Sequence, residues 1–263
     1  VRYEISDGVF KQIVNRAKHD PEHNYGIFID EINRANVASV FGELITVIED
    51  DKRKQWNMDK NTWEGGVEVT LPYSKESFFV PDNLYIVGTM NTADRSIALL
   101  DHALRRRFTF TEVVPDPELL KENPGPIKSE DGGTPIDLSK LLTSMNERIE
   151  YFLDRDHLIG HAYFMKVESL QDLDTVFRNN IIPLLQEYFH EDWEKIQIVL
   201  QDLKDEDDTD GRPKAHASRF VEHSVLKPDK ALGYTTGEYE DRRVYKVVPE
   251  TFPATSFRKI YGK

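Results

Sequence analysis

Two short apolar runs, "YGIFIDE" at 25–31 and "NLYIVGTMN" at 83–91, constrain the fold more than anything else in the chain. Each is a continuous hydrophobic stretch of strand length, the pattern of a parallel strand buried on both faces, and each ends abruptly in polar residues. Between them Val37, Val40, Phe41, Leu44 and Ile48 recur at helical spacing, which predicts a helix after the first strand. Val9 to Ala17 reads as a short helix before it, ended by the polar break "HDPEHN". A helix through Ile97, Leu100 and Leu104 follows the second strand, and "FTFTEVV" at 108–114 reads as a third. Alternating strands and helices of this kind predict an α/β layer with a parallel sheet, in which ligands sit at the carboxyl ends of the strands. Both polar clusters, "DEINRAN" and "MNTADRS", fall at those ends.

The rest of the chain is organised differently. Residues 52–66 are polar and Gly-bearing, with Trp56 and Trp63 read as local packing or an exposed contact surface, and "VEVTLPYSKESFFV" has the flanks and turn of a β-hairpin. The Pro-, Gly- and charge-rich stretch 116–136 reads as a linker. Beyond it "DLSKLLTSMNERIEYFL", "DLDTVFRNNIIPLLQEYF" and "EDWEKIQIVLQDL" are amphipathic, so 137–263 is expected to be a mostly helical second domain, with "RVYKVVPETF" extended. No apolar run approaches the ~20 residues of a membrane span. With no cysteine there is no disulfide framework or thiol chemistry, which makes a cytoplasmic location the default.

A formal charge of -13 excludes a free-standing, sequence-independent nucleic-acid binder, because such proteins need a positive footprint to displace counterions. Part of that excess lies in "DLKDEDDTDG" at 202–211. It could be the first half of a calcium loop, but the twelfth position counted from Glu206 holds Ala217 where a bidentate Glu is required, so it reads as a solvated acidic loop. The eight histidines show no metal spacing, and His161 in "IGHAYF" reads as a packed or hydrogen-bonded side chain.

The acid pair Asp30–Glu31 at a strand end suits phosphoryl transfer. Asp30 can hold Mg2+ beside phosphate oxygens, Glu31 can orient or deprotonate an attacking water, and Asn91 on the next strand can hold that water or the terminal phosphate. The run Arg105-Arg106-Arg107 offers positive charge for the transferred group. Plainer readings compete: an acid pair can simply cap a helix, and Asp101, one turn before Arg105, can pair with that arginine.

Taken together, "IFIDEINRANVASVFGELITVIEDDKR" and "VPDNLYIVGTMNTADRSIALLDHALRRRF" strongly resemble the AAA+ motor subunit of McrBC-type methylation-dependent restriction systems. The resemblance implies a P-loop NTPase AAA+ core over 1–115, partial in its parallel sheet, with a linker at 116–136 and a helical lid and C-terminal segment over 137–263. It makes "DEINRA" the Walker B stretch, "MNTADRS" the motif holding sensor 1, and "ALRRRF" the source of arginines acting in trans. By that correspondence Asp30 serves Mg2+, Glu31 the attacking water and Asn91 the sensor, Arg106 or Arg107 is the finger, and Asn33, Asp94 and Arg95 form the supporting shell. The hairpin at 67–80 corresponds to the insertion before sensor 1. GTP is the implied fuel, with ATP the alternative. The implied partners are a homo-oligomeric ring, hexameric by the resemblance, an McrC-like endonuclease subunit, and DNA in the full system. No G-x-x-x-x-G-K-[ST] phosphate loop occurs in these residues, so the chain reads as a motor lacking Walker A and is expected to be inactive by itself. A MoxR-like AAA+ ATPase and a non-hydrolysing ring subunit are the alternative readings.

Overall fold

The computed structural model describes residues 6–34, 41–91, 105–128, 131–207, 213–215, 218–232 and 240–262. The chain divides into two compact units, Val1–Glu112 and Val113–Lys263.

In the first unit, helix α1 (Val9–His19) turns Val14 and Ala17 inward, with Phe10 and Ile13 packed on the same core. Its last turn carries Arg16, Lys18 and His19, which complement the negative end of the helix dipole. The helix end is tied to the sheet by one side chain. The amide nitrogen of buried Asn83 donates to the carbonyls of Ala17, Asp20 and His23 at 3.1, 3.1 and 2.8 Å, while the Asn83 carbonyl accepts from Tyr25 N at 2.9 Å. Together these bonds tie the end of the helix and the break after it to Asn83 and fix where the first strand starts.

Strand β1 (Tyr25–Ile29) then runs parallel to β6 (Leu84–Gly88), in the register Tyr25 to Leu84 through Ile29 to Gly88. Between them lie two antiparallel hairpins. β2 (Gln55–Asn57) pairs with β3 (Thr62–Glu64), and β4 (Val69–Thr70) with β5 (Ser77–Phe78), the latter at the predicted hairpin. Trp56 and Trp63 face each other across β2 and β3 with ring centroids 5.2 Å apart, and Trp63 Nε1 donates to the Lys18 carbonyl at 3.2 Å. That is the local-packing reading of the pair. The core gathers Val14, Ala17, Ile32, Phe41, Val47, Ile48, Phe78, Val80 and Leu84. The predicted helix from Val37 lies partly outside the described residues, and its described part is a 3-10 turn, Gly42–Ile45. The predicted helix through Ile97, Leu100 and Leu104 lies outside them altogether.

Two strand expectations are corrected. β1 and β6 are covered on one face only: Phe28, Tyr85 and Val87 stand 78%, 55% and 43% exposed on the other. Residues 109–114 form no strand, and Phe110, Val113 and Val114 are exposed. An apolar alternation becomes a strand only when a neighbour accepts its ladder hydrogen bonds, and no strand among the described residues pairs with this segment.

The second unit is built on α2 (Leu138–Phe152), α3 (Leu170–Val176), α4 (Ile182–Tyr188) and α5 (Trp193–Val199). Asp137 caps α2 and Ser169 opens α3 with a capping box through Asp172. A π-helical turn, Phe177–Ile181, joins α3 to α4, where Pro183 cannot donate to the Asn179 carbonyl and the turn widens. β7 (Leu203–Asp207) pairs with β8 (Pro213–Ala215), and β9 (Val221–Leu226) with β10 (Arg242–Val247); α6 (Pro228–Leu232) and α7 (Ala254–Lys259) complete the unit. The core centres on Phe164, Phe177, Phe220, Phe252 and Phe257, with Phe177 stacked on Phe220 at 5.2 Å.

The stretch read as a linker behaves otherwise: Leu120, Ile127 and Ile136 are buried in this core, and Ile127 and Ile136 exchange backbone hydrogen bonds of 2.9 and 2.8 Å. Three apolar residues spaced through a Pro- and Gly-rich segment are enough to pin it down. Nor is the acidic stretch uniformly solvated. Asp202 is fully buried, accepts from Phe220 N and Val221 N at 2.9 and 2.8 Å, and is ion-paired with Lys259. Burial pushes the Asp202 carboxyl up and the Lys259 ammonium down, and their mutual attraction opposes both. No helix among the described residues is long and apolar enough to cross a membrane.

Candidate nucleotide site

The polar cluster forms where β1 and β6 end together. Thr89, just past β6, donates its backbone N–H to the Ile29 carbonyl at 3.0 Å, and its own carbonyl accepts from Ile32 N at 2.9 Å. These bonds carry the ladder one step beyond the strands and fix the turn that follows β1. Gly88 allows the close approach: a Cβ there would stand 3.1 Å from two Ile32 side-chain carbons, tighter than ordinary packing.

The Thr89 hydroxyl sits at the centre of the cluster. It donates to Asp30 Oδ1 and accepts from Glu31 N at 3.1 Å, so one hydroxyl fixes both the Asp30 carboxylate and the Glu31 backbone. Glu31 holds φ at +51°, the left-handed region that a non-glycine residue occupies at a cost of about 1–3 kcal/mol. That conformation turns the chain between Asp30 and buried Ile32, so the two acids do not continue the pleat. The Glu31 carboxylate meets Arg34 Nε at 2.9 Å in a pair about half exposed on each side, which adds little stability in water. Asn33 Nδ2 donates to the Asn91 carbonyl at 3.4 Å. Asp30, Glu31, Asn33 and Asn91 therefore lie together; Asp94 and Arg95 lie outside the described residues.

The donor set suits a hard cation. The Thr89 hydroxyl bonds Asp30 directly, the Asn33 amide bonds the Asn91 carbonyl close by, and among the described residues no cluster of three or more His, Cys, Asp or Glu could enclose a metal by itself. One carboxylate with room for phosphate and water oxygens is the coordination Mg2+ prefers.

The arginines divide. Arg107 is 5% exposed and its guanidinium lies 2.6 Å from Glu49 Oε1. Arg106 is 70% exposed, with its guanidinium 3.8 Å from the same oxygen. Arg105 stands 5.8 Å from the Phe110 ring centroid, and its expected partner Asp101 lies outside the described residues. In the second unit, His161 is hydrogen-bonded, its Nδ1 accepting from Asp116 N at 3.0 Å. Thr89 and Glu49 were not singled out from the sequence. Thr89 had a local signal, since it is the hydroxyl residue where a buried strand turns polar beside the acid pair; Glu49 had none.

Acids and an asparagine at the carboxyl ends of adjacent parallel strands, ahead of an arginine run, define an AAA-type domain. The AAA domain (dynein-related subfamily) family model matches residues 1–108 and that of the McrB alpha-helical lid domain matches residues 137–197. The chain is 38% identical over 211 residues to the Type IV methyl-directed restriction enzyme EcoKMcrB subunit of Escherichia coli (strain K12), a match covering 73% of this chain and 42% of that one. It is 27% identical over 197 residues to the Type II restriction enzyme BsuMI component YdiS of Bacillus subtilis (strain 168), covering 71% and 55% respectively. The chain belongs to the McrB-type AAA+ family, and it spans about half the length of these two relatives.

Proposed function

We propose that the chain is part of a GTP-hydrolysing ring motor that drives a partner endonuclease in a restriction system directed at modified DNA. The observation that supports it most is the pair of bonds from the Thr89 hydroxyl to Asp30 and to the Glu31 backbone, with Asn33 bonded to the Asn91 carbonyl nearby, at the strand ends where α/β sheets bind ligands. In this reading Asp30 holds Mg2+, which when bound neutralises charge on the phosphates. Glu31 takes the proton of the attacking water, Asn91 holds that water or the terminal phosphate, and Asn33, Asp94 and Arg95 support them. Arg106 is the finger presented to a neighbouring subunit. The ring is a homo-oligomer, with six subunits as the family implies, and ATP is the alternative fuel. The net charge of -13 assigns DNA contact to a local surface or to another part of the assembly.

Hydrolysis of GTP and ATP by the native full-length protein and its Glu31→Gln variant tests this. The substitution keeps size and hydrogen bonding but removes the base, so turnover of GTP should fall at least about 10³-fold while nucleotide binding and ring assembly persist. Survival of turnover within about tenfold, only ~1.4 kcal/mol of barrier, would make Glu31 a turn residue and not the base.

A further inference from the structure

One carboxylate oxygen, Glu49 Oε1, faces both Arg106 and Arg107, and the two respond differently: Arg107 is buried against it, Arg106 projects outward. Glu49 is itself firmly placed. It follows buried Val47 and Ile48, and its carbonyl accepts from Lys52 N at 3.0 Å to start the turn Asp50–Lys52. Arg53 closes that turn onto the sheet, donating from Nε to the Ile48 carbonyl at 3.0 Å and from a terminal nitrogen to the Leu84 carbonyl at 2.5 Å. A continuous set of contacts thus runs from the first residue of β6 through Arg53 and the turn to Glu49, and from there to the arginine run.

We propose that Glu49 is a positioning residue: by holding Arg107 as an internal strut it fixes the backbone at 107 and sets the position from which Arg106 is offered to a neighbouring subunit's nucleotide. Arg107, 5% exposed, occupies Glu49 Oε1 at 2.6 Å, while Arg106, 70% exposed, reaches the same oxygen only at 3.8 Å, so its guanidinium is left in solvent. The Glu49 charge also stands near enough to Arg106 to bias its guanidinium without burying it. This rests on the reading of the arginine run as acting in trans. It adds that Arg106 and Arg107 have separate roles, and that an acid outside both polar motifs decides which of the two reaches the phosphate.

The test is a double-mutant cycle in the native full-length protein, with hydrolysis followed at saturating GTP and Mg2+ and assembly checked by native mass spectrometry. Glu49→Gln should lower kcat about 10- to 100-fold with KM little changed, the scale of a misplaced catalytic group. Arg106→Ala should cost more. In the Arg106→Ala background, Glu49→Gln should cost nothing further, because the group it positions is gone. Additive losses, or an unchanged kcat in Glu49→Gln alone, would overturn the proposal. So would an Arg106→Ala protein as active as the parent, and that outcome would remove the trans-acting reading too, whereas additivity would leave it standing. Should Glu49→Gln fail to fold, Glu49→Asp, which keeps the charge but withdraws it by one methylene, takes its place in the same cycle with the same two outcomes.

Discussion

The two units solve the problem of a stable interior differently. The second closes a core of stacked and edge-on phenylalanines and satisfies its buried charges internally: Arg178 pairs with Asp174 at 2.9 Å and donates to the Val248 carbonyl at 2.7 Å, while Asp174 accepts from Phe252 N at 2.8 Å. In the first, among the described residues, β1 and β6 pair with one face packed on the core, and Phe28, Tyr85 and Val87 of the other face are exposed. The catalytic candidates sit in the less consolidated unit, on a residue with left-handed backbone at a strand end. Sites need backbone and side chains held out of their lowest-energy arrangements, while a helical lid-type domain is free to optimise packing.

The contrast can be broken most forcefully by comparing two phenylalanines in the 263-residue chain. Phe177 is fully buried, stacked on Phe220 and edge-on to Phe257 at 4.9 Å. Phe177→Ala should destabilise the second unit by about 3–5 kcal/mol. Phe28→Ser, at a position 78% exposed, should change the first unit by less than about 0.5 kcal/mol. Hydrogen exchange resolved by segment reads both effects in their own units. A loss above about 1.5 kcal/mol for Phe28→Ser would show that the open face is covered in solution.

A smaller effect sharpens the same comparison within the first unit. Burial pulls the Lys18 ammonium down to about 8, and the Phe79 ring centroid 3.7 Å from its Nζ favours the charge that burial disfavours. Because the folded value lies below the unfolded one, protonated Lys18 costs stability at neutral pH, and that cost falls away as pH rises from about 8 towards 10.5. Lys18→Met should therefore be the more stable protein at pH 7, with the gap narrowing as pH rises through that window. A gap that is constant across it would mean that the aromatic contact balances desolvation, and one reversed at pH 7 that it outweighs it.

How far the sequence could carry the account follows from the range of each interaction. β1, β6 and the hairpin at 69–78 were readable because strand length, polar ends and turn residues are local signals. The clustering of Asp30, Glu31, Asn33 and Asn91 followed from parallel pairing alone, since parallel strands end on the same side. The exposed sheet face and the missing strand at 109–114 were not readable, because an apolar run does not reveal whether a partner exists to cover or pair it. The folding of Leu120, Ile127 and Ile136 into the second core carries no local signal, because the three stand apart among prolines and glycines. The Arg107–Glu49 pair joins residues 58 positions apart, and no periodicity marks it.

The central claim is that hydrolysis uses Glu31 of one subunit and Arg106 of its neighbour. Mixing full-length Glu31→Gln subunits with full-length Arg106→Ala subunits, with mixed rings verified by native mass spectrometry, measures it directly. Each parent should be nearly inactive, an arginine finger being worth about 10³–10⁵ in rate in GTPases, and mixed rings should regain GTP hydrolysis in proportion to the interfaces where an intact Arg106 meets an intact Glu31. Mixed rings that stay at the level of the two parents at every ratio would contradict it.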